Sequence, residues 1–160
     1  MKNSVPTVYF EGPFCNLKII QKNNTLHYID FVSQSDALQT THDQLLKETL
    51  KQIRQYLKNA DFPFDLPISP QGTEFQHRVW AALQKIPVGK VKTYGELAKE
   101  LHSSPRAIGN ACRRNPIPLI IPCHRVISAQ GIGGFAGQTQ GSRITIKQQL
   151  LHHEGVNPLY

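Results

Sequence analysis

The sequence contains few cysteines and no long hydrophobic run. Its three cysteines, Cys15, Cys112 and Cys123, are odd in number and lack CxxC spacing, which argues against a disulfide framework and against a zinc ribbon. No apolar stretch approaches the roughly 20 residues of a membrane helix, and the N-terminus lacks the charged-then-apolar pattern of a secretory signal. We therefore expect a cytoplasmic protein in which at least one thiol is free and kept reduced.

Acidic residues are scarce in the second half of the chain. Residues 1–73 carry seven Lys or Arg against seven Asp or Glu, whereas residues 74–160 carry eleven against four, so the second half holds the whole net charge of +7. A basic surface concentrates polyanions and speeds their encounter. The distribution therefore favours a nucleic-acid partner for the second half, with a solvated basic face as the alternative.

The first half predicts a small sheet followed by a helix. Two extended runs, 14–21 and 25–32, flank Lys22-Asn23-Asn24, where asparagine tolerates the left-handed conformation of a tight turn, so a β-hairpin is predicted. Apolar residues then recur at helical spacing over about 42–59. The proline-rich stretch that follows cannot be helical, and we place a domain boundary there. The expected domains are 1–68 and 69–160.

Helix-start patterns predict three helices in the second half. Thr73 and Thr93 each stand three residues ahead of a Gln or Glu, which is the spacing of a capping box. Ser104 precedes Pro105, the residue best tolerated at the first helical position. The last two helices would be short and joined by a tight turn, as in a helix-turn-helix. A purely structural helix pair is the alternative.

The apolar run 119–121 ends abruptly in Pro122-Cys123-His124-Arg125. We expect a buried strand here that delivers these polar groups to one place. Cysteine is a nucleophile only as thiolate, and a neighbouring base or positive charge favours that form, so Cys123 beside His124 and Arg125 is a candidate nucleophile. Neighbouring residues on a strand point to opposite faces, so contact between Cys123 and His124 would need a bend at Pro122 or a bridging water. A packed cysteine at a strand end is the alternative.

With this motif in place, the chain resembles the O6-alkylguanine-DNA alkyltransferases, also called methylated-DNA–protein-cysteine methyltransferases. The resemblance rests on these segments: Gly72-Thr73-Glu74-Phe75-Gln76, Val79-Trp80, Ala82-Leu83, Ile86-Pro87-Val88-Gly89, Thr93-Tyr94, Arg106-Ala107-Ile108-Gly109, Asn115-Pro116, 121–127, Gly133-Gly134-Phe135, Lys147, Leu150-Leu151 and Glu154-Gly155. The first half matches only in its sheet-then-helix plan. The resemblance implies an α/β (α+β) fold, with a ribonuclease H-like N-terminal domain and a mostly helical C-terminal domain that contains a helix-turn-helix.

The resemblance implies direct-reversal DNA repair. The alkyl group of an O6-alkylguanine in DNA would move irreversibly onto Cys123, once per molecule and without a cofactor; O4-alkylthymine is left open as a second substrate. A base stacked in a duplex cannot present its O6 substituent to a thiol, so the nucleotide must be flipped out of the helix. The expected partner is double-stranded DNA carrying the lesion, with no membrane, and the protein is expected to be a monomer. Cooperative binding to DNA is left open.

Catalytic roles follow from the same resemblance. His124 would accept the proton of the Cys123 thiol through a water, and Glu154 would orient the imidazole. Tyr94 would protonate N3 of the leaving guanine as general acid. Asn115 would brace the turn that carries the cysteine through hydrogen bonds.

A DNA-binding surface is implied around the third helix. Arg106 matches an arginine finger that enters from the minor groove and fills the gap left by the flipped base. The small Ala107 and Gly109 suit close approach of the helix to the DNA backbone. Four more basic residues complete the expected DNA contacts: Lys92, Arg113, Arg114 and Arg125. Phosphate contacts of this kind set affinity and its salt dependence without reading sequence, and solvated surface charges are the alternative.

The substrate pocket implied by the resemblance contains Gly133, Phe135 and Lys147. Phe135 stands where a tyrosine is common in the family, and the segment 137–144 is longer than the family pattern. We expect both differences from the family pattern to affect the size of the O6 adduct that the protein accepts, but not the reaction itself. Cys112, inside the third helix, is expected to be packed.

No metal is predicted. Some members of the family bind zinc through the N-terminal half, and the candidates here would be Cys15, His27 and His42. These residues lack the spacing of metal ligands, and a single histidine is more often a surface or core residue.

Two other functions remain as alternatives. A lesion-binding or regulatory helix-turn-helix protein would bind DNA without chemistry, but the retention of Cys123, His124, Tyr94 and Glu154 argues against it. A Cys/His hydrolase would share the nucleophile and the base, would turn over, and would not need DNA. Stoichiometric consumption of the protein separates these functions.

Overall fold

The computed structural model describes residues 4–33, 40–137 and 140–157, and the chain divides into two compact units between Gln71 and Gly72. The first unit is a small antiparallel sheet with a helix, and the second is mostly helical, which confirms the expected α/β class. No helix within the described residues is long and apolar enough to cross a membrane.

The sheet of the first unit consists of β1 (Thr7–Glu11), β2 (Asn16–Lys22) and β3 (Thr25–Val32), antiparallel and in the order β1-β2-β3. The predicted hairpin is formed by β2 and β3. Asn23 and Asn24 at its turn have φ of 53° and 58°, the left-handed conformation that asparagine tolerates. The structure adds β1, which the sequence patterns did not identify as a separate strand.

Helix α1 (Gln44–Lys58) lies within the predicted range 42–59. Asp43 caps its N-terminus, because the carboxylate accepts a hydrogen bond of 2.9 Å from the Leu46 amide. The helix packs on β1 and β2 and buries its apolar face against the sheet. The proline-rich segment then runs along β3 as far as Ser69, whose amide donates to a backbone carbonyl of that strand.

The three predicted helix starts of the second unit are confirmed. Thr73 and Thr93 both form capping boxes, and Ser104 caps the next helix with Pro105 at its first position. The elements of this unit are α2 (Glu74–Gln84), β4 (Lys92–Thr93), α3 (Tyr94–Glu100), α4 (Pro105–Arg113), a single 3₁₀ turn (Cys123–Arg125, called the cysteine turn below), β5 (Val126–Ile127) and α5 (Ser142–His153).

Helices α3 and α4 pack against each other, and α4 also packs against α2. The connection between α3 and α4 is tight, with His102 in the left-handed region at φ 54°. Trp80 of α2 donates its indole N–H to the carbonyl of Ala111 at 2.9 Å, which fixes the buried side of α4. The two short helices therefore form the predicted helix-turn-helix on a rigid base.

The predicted strand at 119–121 is wrong. The segment is a tight turn in which the Ile121 amide donates to the Ile117 carbonyl at 2.9 Å and Leu119 has a left-handed φ of 76°. Prolines at 116, 118 and 122 remove backbone donors at alternate positions, so this segment cannot complete a strand ladder. Cys123 and His124 therefore lie on a 3₁₀ turn, where successive side chains are about 120° apart, as expected for three residues per turn.

Candidate active site

A cavity of about 240 Å³ lies beside the cysteine turn. Its walls come from α3, α4, the cysteine turn and the loop that precedes α5. The residues that line it are Tyr94, Gly109, Cys112, Arg113, Cys123, Gly134, Phe135, Ala136 and Gly137. The sequence-predicted Cys123, Tyr94 and Phe135 are thus brought together around one space, as are Gly109 and Arg113, which were expected only at the DNA surface.

Asn115 fixes the turn that leads to Cys123. Its side-chain amide donates to the Ile121 carbonyl at 2.8 Å, and its side-chain carbonyl accepts from the Ile117 amide at 3.0 Å. The side chain therefore joins both ends of the turn. Burial raises the pKa of the Cys123 thiol, while the hydrogen bond with Asn115 and the charge of Lys147 act in the opposite direction. Because the pKa is raised, the thiol is protonated at neutral pH.

His124 and Glu154 form a buried pair next to the cysteine. Nε2 of His124 lies 2.9 Å from a carboxylate oxygen of Glu154. Burial lowers the pKa of His124, so the imidazole is neutral. A carboxylate can only accept a hydrogen bond, so Nε2 carries the proton and Nδ1 carries the lone pair. Within the described residues Nδ1 has no hydrogen-bond partner, which leaves it available as a base.

Arg125 binds the Glu154 carboxylate of this pair. Its guanidinium donates to both oxygens of Glu154, at 2.8 and 3.0 Å, and to the Ile86 carbonyl at 2.7 Å. Burial raises the pKa of Glu154, but the hydrogen bonds and charges of His124 and Arg125 outweigh it and hold the pKa far below its usual range. The prediction that Arg125 contacts DNA is therefore corrected, because its side chain is 11% exposed and is engaged inside the unit.

Tyr94 begins α3 directly after β4, and its ring enters the cavity. Its hydroxyl donates a long hydrogen bond of 3.4 Å to the Gly134 carbonyl. Burial raises the pKa of Tyr94, with smaller contributions from Cys112 and Cys123, so the phenol keeps its proton. Gly133, predicted in the substrate pocket, is not among the residues that line the cavity but packs on this ring. A Cβ there would lie 3.1 Å from a ring carbon, and its φ of 73° also favours glycine.

Lys147 is fully buried but does not line the cavity, which corrects its assignment to the substrate pocket. Its ammonium donates three hydrogen bonds, to the carbonyls of Val126 and Ile132 at 2.6 Å and of Gly134 at 2.9 Å. Burial lowers the pKa of Lys147 to about 8, so it remains charged at neutral pH. The lysine holds the loop after the cysteine turn in place.

The expected DNA-binding residues lie mainly on α4. Arg106, Arg113 and Arg114 are exposed, and Ala107 is half-buried. A second cavity, about 470 Å³ in volume, lies between the start of α2 and this face of α4. Its lining consists of Thr73, Phe75, Gln76, Ala107, Asn110, Ala111, Arg113 and Arg114. The helix thus presents arginines along a concave surface.

Lys92 lies apart from that group, on β4, where it forms an ion pair with Glu100. The long segment 137–144 is described only in part, since Gln138 and Thr139 lie outside the described residues. In the rest of the chain that the structure covers, no three His, Cys, Asp or Glu side chains are grouped so that they could hold a metal ion. All three cysteines are free thiols.

Sequence reasoning missed four residues of the cavity lining: Cys112, Gly134, Ala136 and Gly137. A signal for Cys112 is present in the sequence, because it stands three positions after Gly109 and therefore on the same face of α4. The three loop residues have no comparable periodicity. Gly134 is held by a hydrogen bond from Lys147, which is 13 positions away in sequence.

Comparison with protein families matches both units. The second unit matches the 6-O-methylguanine DNA methyltransferase DNA-binding domain over residues 74–156. The first unit matches the 6-O-methylguanine DNA methyltransferase ribonuclease-like domain over residues 7–70. The match to the DNA-binding domain covers more than half of the chain, and it includes the cysteine turn and the residues that line the cavity.

Individual proteins similar to this chain point to the same family as these domain matches. The methylated-DNA–protein-cysteine methyltransferase of Methanosarcina acetivorans is 36% identical over an alignment of 154 positions that covers 91% of this chain and 96% of the relative. The constitutive enzyme of that name from Bacillus subtilis is 37% identical over an alignment of 134 positions that covers 80% of this chain and 79% of the relative. The structure of Mycobacterium tuberculosis OGT in complex with DNA is 31% identical, with a TM-score of 0.74 and coverage of 96% and 95%. This chain belongs to the 6-O-methylguanine DNA methyltransferase family.

Proposed function

We propose that this protein repairs alkylated DNA by direct reversal, moving the alkyl group of an O6-alkylguanine irreversibly onto Cys123. The observation that carries the proposal is the buried His124–Glu154 pair next to a cysteine that lines a cavity. A neutral imidazole held by a carboxylate is the usual means of activating a protonated nucleophile. The relatives named above as methylated-DNA–protein-cysteine methyltransferases support the same assignment.

The chemical step is an in-line displacement at the alkyl carbon. The Cys123 sulfur forms a bond to that carbon while the bond from the carbon to guanine O6 breaks. The thiol proton passes through a water to Nδ1 of His124, and Glu154 stabilises the imidazolium that results. The electron pair of the broken bond goes to the guanine, whose N3 takes a proton from the Tyr94 hydroxyl. His124 then loses its added proton and the Tyr94 phenolate regains one through solvent, so the net change moves one proton from the thiol to the released guanine.

The product is a thioether, which does not hydrolyse at neutral pH, so each molecule acts once. The reaction needs neither an external reductant nor a group carrier, and we propose that it uses no cofactor. Because an oxidised Cys123 could not attack an alkyl carbon, we place the protein in a reducing cytoplasm.

We propose double-stranded DNA carrying O6-alkylguanine as the partner, bound by a monomer through α4. Arg106 would enter the minor groove and occupy the gap left by the flipped base. Arg113, Arg114 and Lys92 would contact phosphates. The complex of Mycobacterium tuberculosis OGT with DNA supports this partner. Residues 69–160 would carry the interface and the chemistry, and residues 1–68 would form a separate supporting domain.

Peptide mapping by mass spectrometry tests the proposal. The protein is mixed with a duplex that contains a single O6-methylguanine and is then digested. We expect one added methyl group, confined to the peptide that contains Cys123. The variant Cys15→Ser, which changes a cysteine outside the site, should be methylated as the wild type is, and Cys123→Ser should not be methylated. Tight binding to the duplex without methylation of the wild type would contradict alkyl transfer and favour a lesion-binding protein.

A further inference from the structure

Helix α4 contributes one wall of the substrate cavity as well as the expected DNA-binding face. Gly109, Cys112 and Arg113 line the cavity from positions i, i+3 and i+4, which share one face of a helix. Of these, Cys112 alone has a buried side chain, with 8% exposed. Its thiol is therefore part of the interior of the cavity and not of the DNA-facing surface.

The Cys112 thiol lies within electrostatic reach of the reacting groups. Burial raises its pKa, the Cys123 sulfur raises it further, and the charge of Lys147 acts in the opposite direction. Cys112 and Cys123 both act on Tyr94 as well. The raised pKa keeps Cys112 in the neutral thiol form, so that it occupies space in the cavity wall without adding a charge there.

The wall that Cys112 shares with Gly109 has unfilled space. A Cβ built on Gly109 would have Tyr94 Cε1 as its nearest neighbour, at 4.0 Å, which is ordinary van der Waals contact at most. Cysteine itself has a side chain of only two heavy atoms. The α4 side of the cavity is thus bounded by short side chains next to the Tyr94 ring.

We propose that Cys112 is a specificity-determining residue of the alkyl-transfer reaction, because its short side chain and that of Gly109 leave room in the cavity for O6 substituents larger than methyl, such as benzyl. This inference rests on the proposed function and deepens it, since it names the adduct class that the site accepts. The role is steric: a longer side chain at position 112 would occupy the space that a large substituent needs, whereas a methyl group needs little of it.

The test compares single-turnover rate constants on two duplexes that are identical except for O6-methylguanine or O6-benzylguanine. The ratio of the two rate constants cancels changes in DNA affinity, which affect both substrates alike. We expect the wild type to react with both lesions. Cys112→Leu should lower the benzyl rate about tenfold more than the methyl rate, because a leucine would fill the space that the benzyl group needs, and overpacking of this kind costs roughly one power of ten in rate. Cys112→Ser, which keeps the size of the side chain, should leave the ratio within about twofold of wild type, well inside that tenfold step.

A second variant pair keeps the proposal testable if Cys112→Leu does not fold. Gly109→Ala adds a methyl group to the cavity wall. Gly95→Ala adds one to α3, where the nearest atom is Thr93 Oγ1 at 3.8 Å and the residue is not among those that line this cavity. We expect a lower ratio of benzyl to methyl rates in Gly109→Ala alone. An unchanged ratio in both Cys112→Leu and Gly109→Ala would overturn the inference, as would a wild type that accepts methyl but not benzyl. A wild type that accepts neither lesion would instead contradict the proposed function.

Discussion

Glu154 is the residue on which the buried polar groups of the site converge. Its two oxygens bind the His124 imidazole and two nitrogens of the Arg125 guanidinium, at 2.8 to 3.0 Å. The carboxylate is fully buried and the imidazole almost so. Removing the charge of Glu154 would therefore leave a largely buried guanidinium without its counter-ion and an imidazole without its acceptor.

We expect Glu154→Gln to lower the free energy of unfolding by about 3 kcal/mol, as for removal of one partner of a buried pair. The rate of alkyl transfer should fall by roughly a hundredfold, the low end of the usual contribution of a general base, because His124 loses the carboxylate that orients it and stabilises its charged form. Denaturant titration and single-turnover kinetics measure the two effects. Glu100→Gln is the matched control, because it breaks an exposed pair with Lys92 and should change stability by less than about 1 kcal/mol. Equal effects of the two variants would contradict the role of Glu154.

The His124–Glu154 pair also makes the free energy of unfolding depend on pH. The folded-state pKa of Glu154 lies below the ordinary value of 4.5, since hydrogen bonds and charges of His124 and Arg125 outweigh the opposing effect of burial. A carboxyl group with a depressed pKa contributes stability above its unfolded-state pKa, and that contribution is lost as the pH falls below it. The free energy of unfolding of the wild type should thus fall more steeply below about pH 4.5 than that of Glu154→Gln. Denaturant titrations at several pH values check this, and parallel curves would exclude it.

Lys147 supports the loop that follows the cysteine turn. Its three hydrogen bonds to the carbonyls of Val126, Ile132 and Gly134 use every donor of the ammonium. We expect Lys147→Met, which keeps the length of the side chain, to speed amide hydrogen exchange in residues 126–134 by at least about tenfold, because buried carbonyls are left unsatisfied. Exchange in α1, in the other unit, should not change. The exposed Lys85→Met is the control, and a similar response in both variants would argue against this role.

At the scale of elements, the helices were predictable because their starting signals are local. Thr73 and Thr93 each bond a backbone amide three residues away, and such patterns are visible in one short window of sequence. The segment 119–121 was mispredicted because apolar content alone does not distinguish a strand from a buried turn. The prolines on either side of it decide the outcome by removing ladder donors.

The pairing of distant elements could not be predicted in the same way. Arg125 lies in a basic half and was expected at the DNA surface, but α5 brings Glu154 to it from 29 positions away. Lys147 likewise depends on carbonyls that are 13 to 21 residues distant. Composition and periodicity carry no information on such contacts. The resemblance to a family implied that Glu154 orients His124, and the structure places their side chains 2.9 Å apart.

Helix α4 is the element on which DNA binding would depend most. We expect Arg114→Gln to weaken binding to duplexes of any sequence and to reduce the slope of log affinity against log salt concentration by about one, the value for one phosphate contact. Arg54→Gln is the control, because Arg54 is an exposed arginine on α1 in the neutral half. Fluorescence anisotropy at several salt concentrations measures both slopes. Equal slopes for Arg114→Gln and wild type would show that Arg114 is only a solvated charge.

At the scale of the whole molecule, the net positive charge and the residues of the candidate active site lie in the same half of the chain. The second half of the chain holds the whole net charge of +7 and also the cavity, the cysteine turn and α4. A basic surface next to the reacting thiol raises the local concentration of a polyanionic substrate, which matters for a protein that acts only once. The neutral first half has its own sheet and core, and none of its described residues lines the cavity beside the cysteine turn.

The stoichiometry of methyl transfer tests the central claim most directly. A fixed amount of protein is mixed with increasing amounts of a duplex that contains O6-methylguanine, and the methyl groups bound to protein and the guanine restored in DNA are both counted. We predict that both rise together and stop at one methyl group per chain, with no further repair on longer incubation. Continued turnover beyond one equivalent, or binding of the duplex with no methyl transferred, would contradict the account.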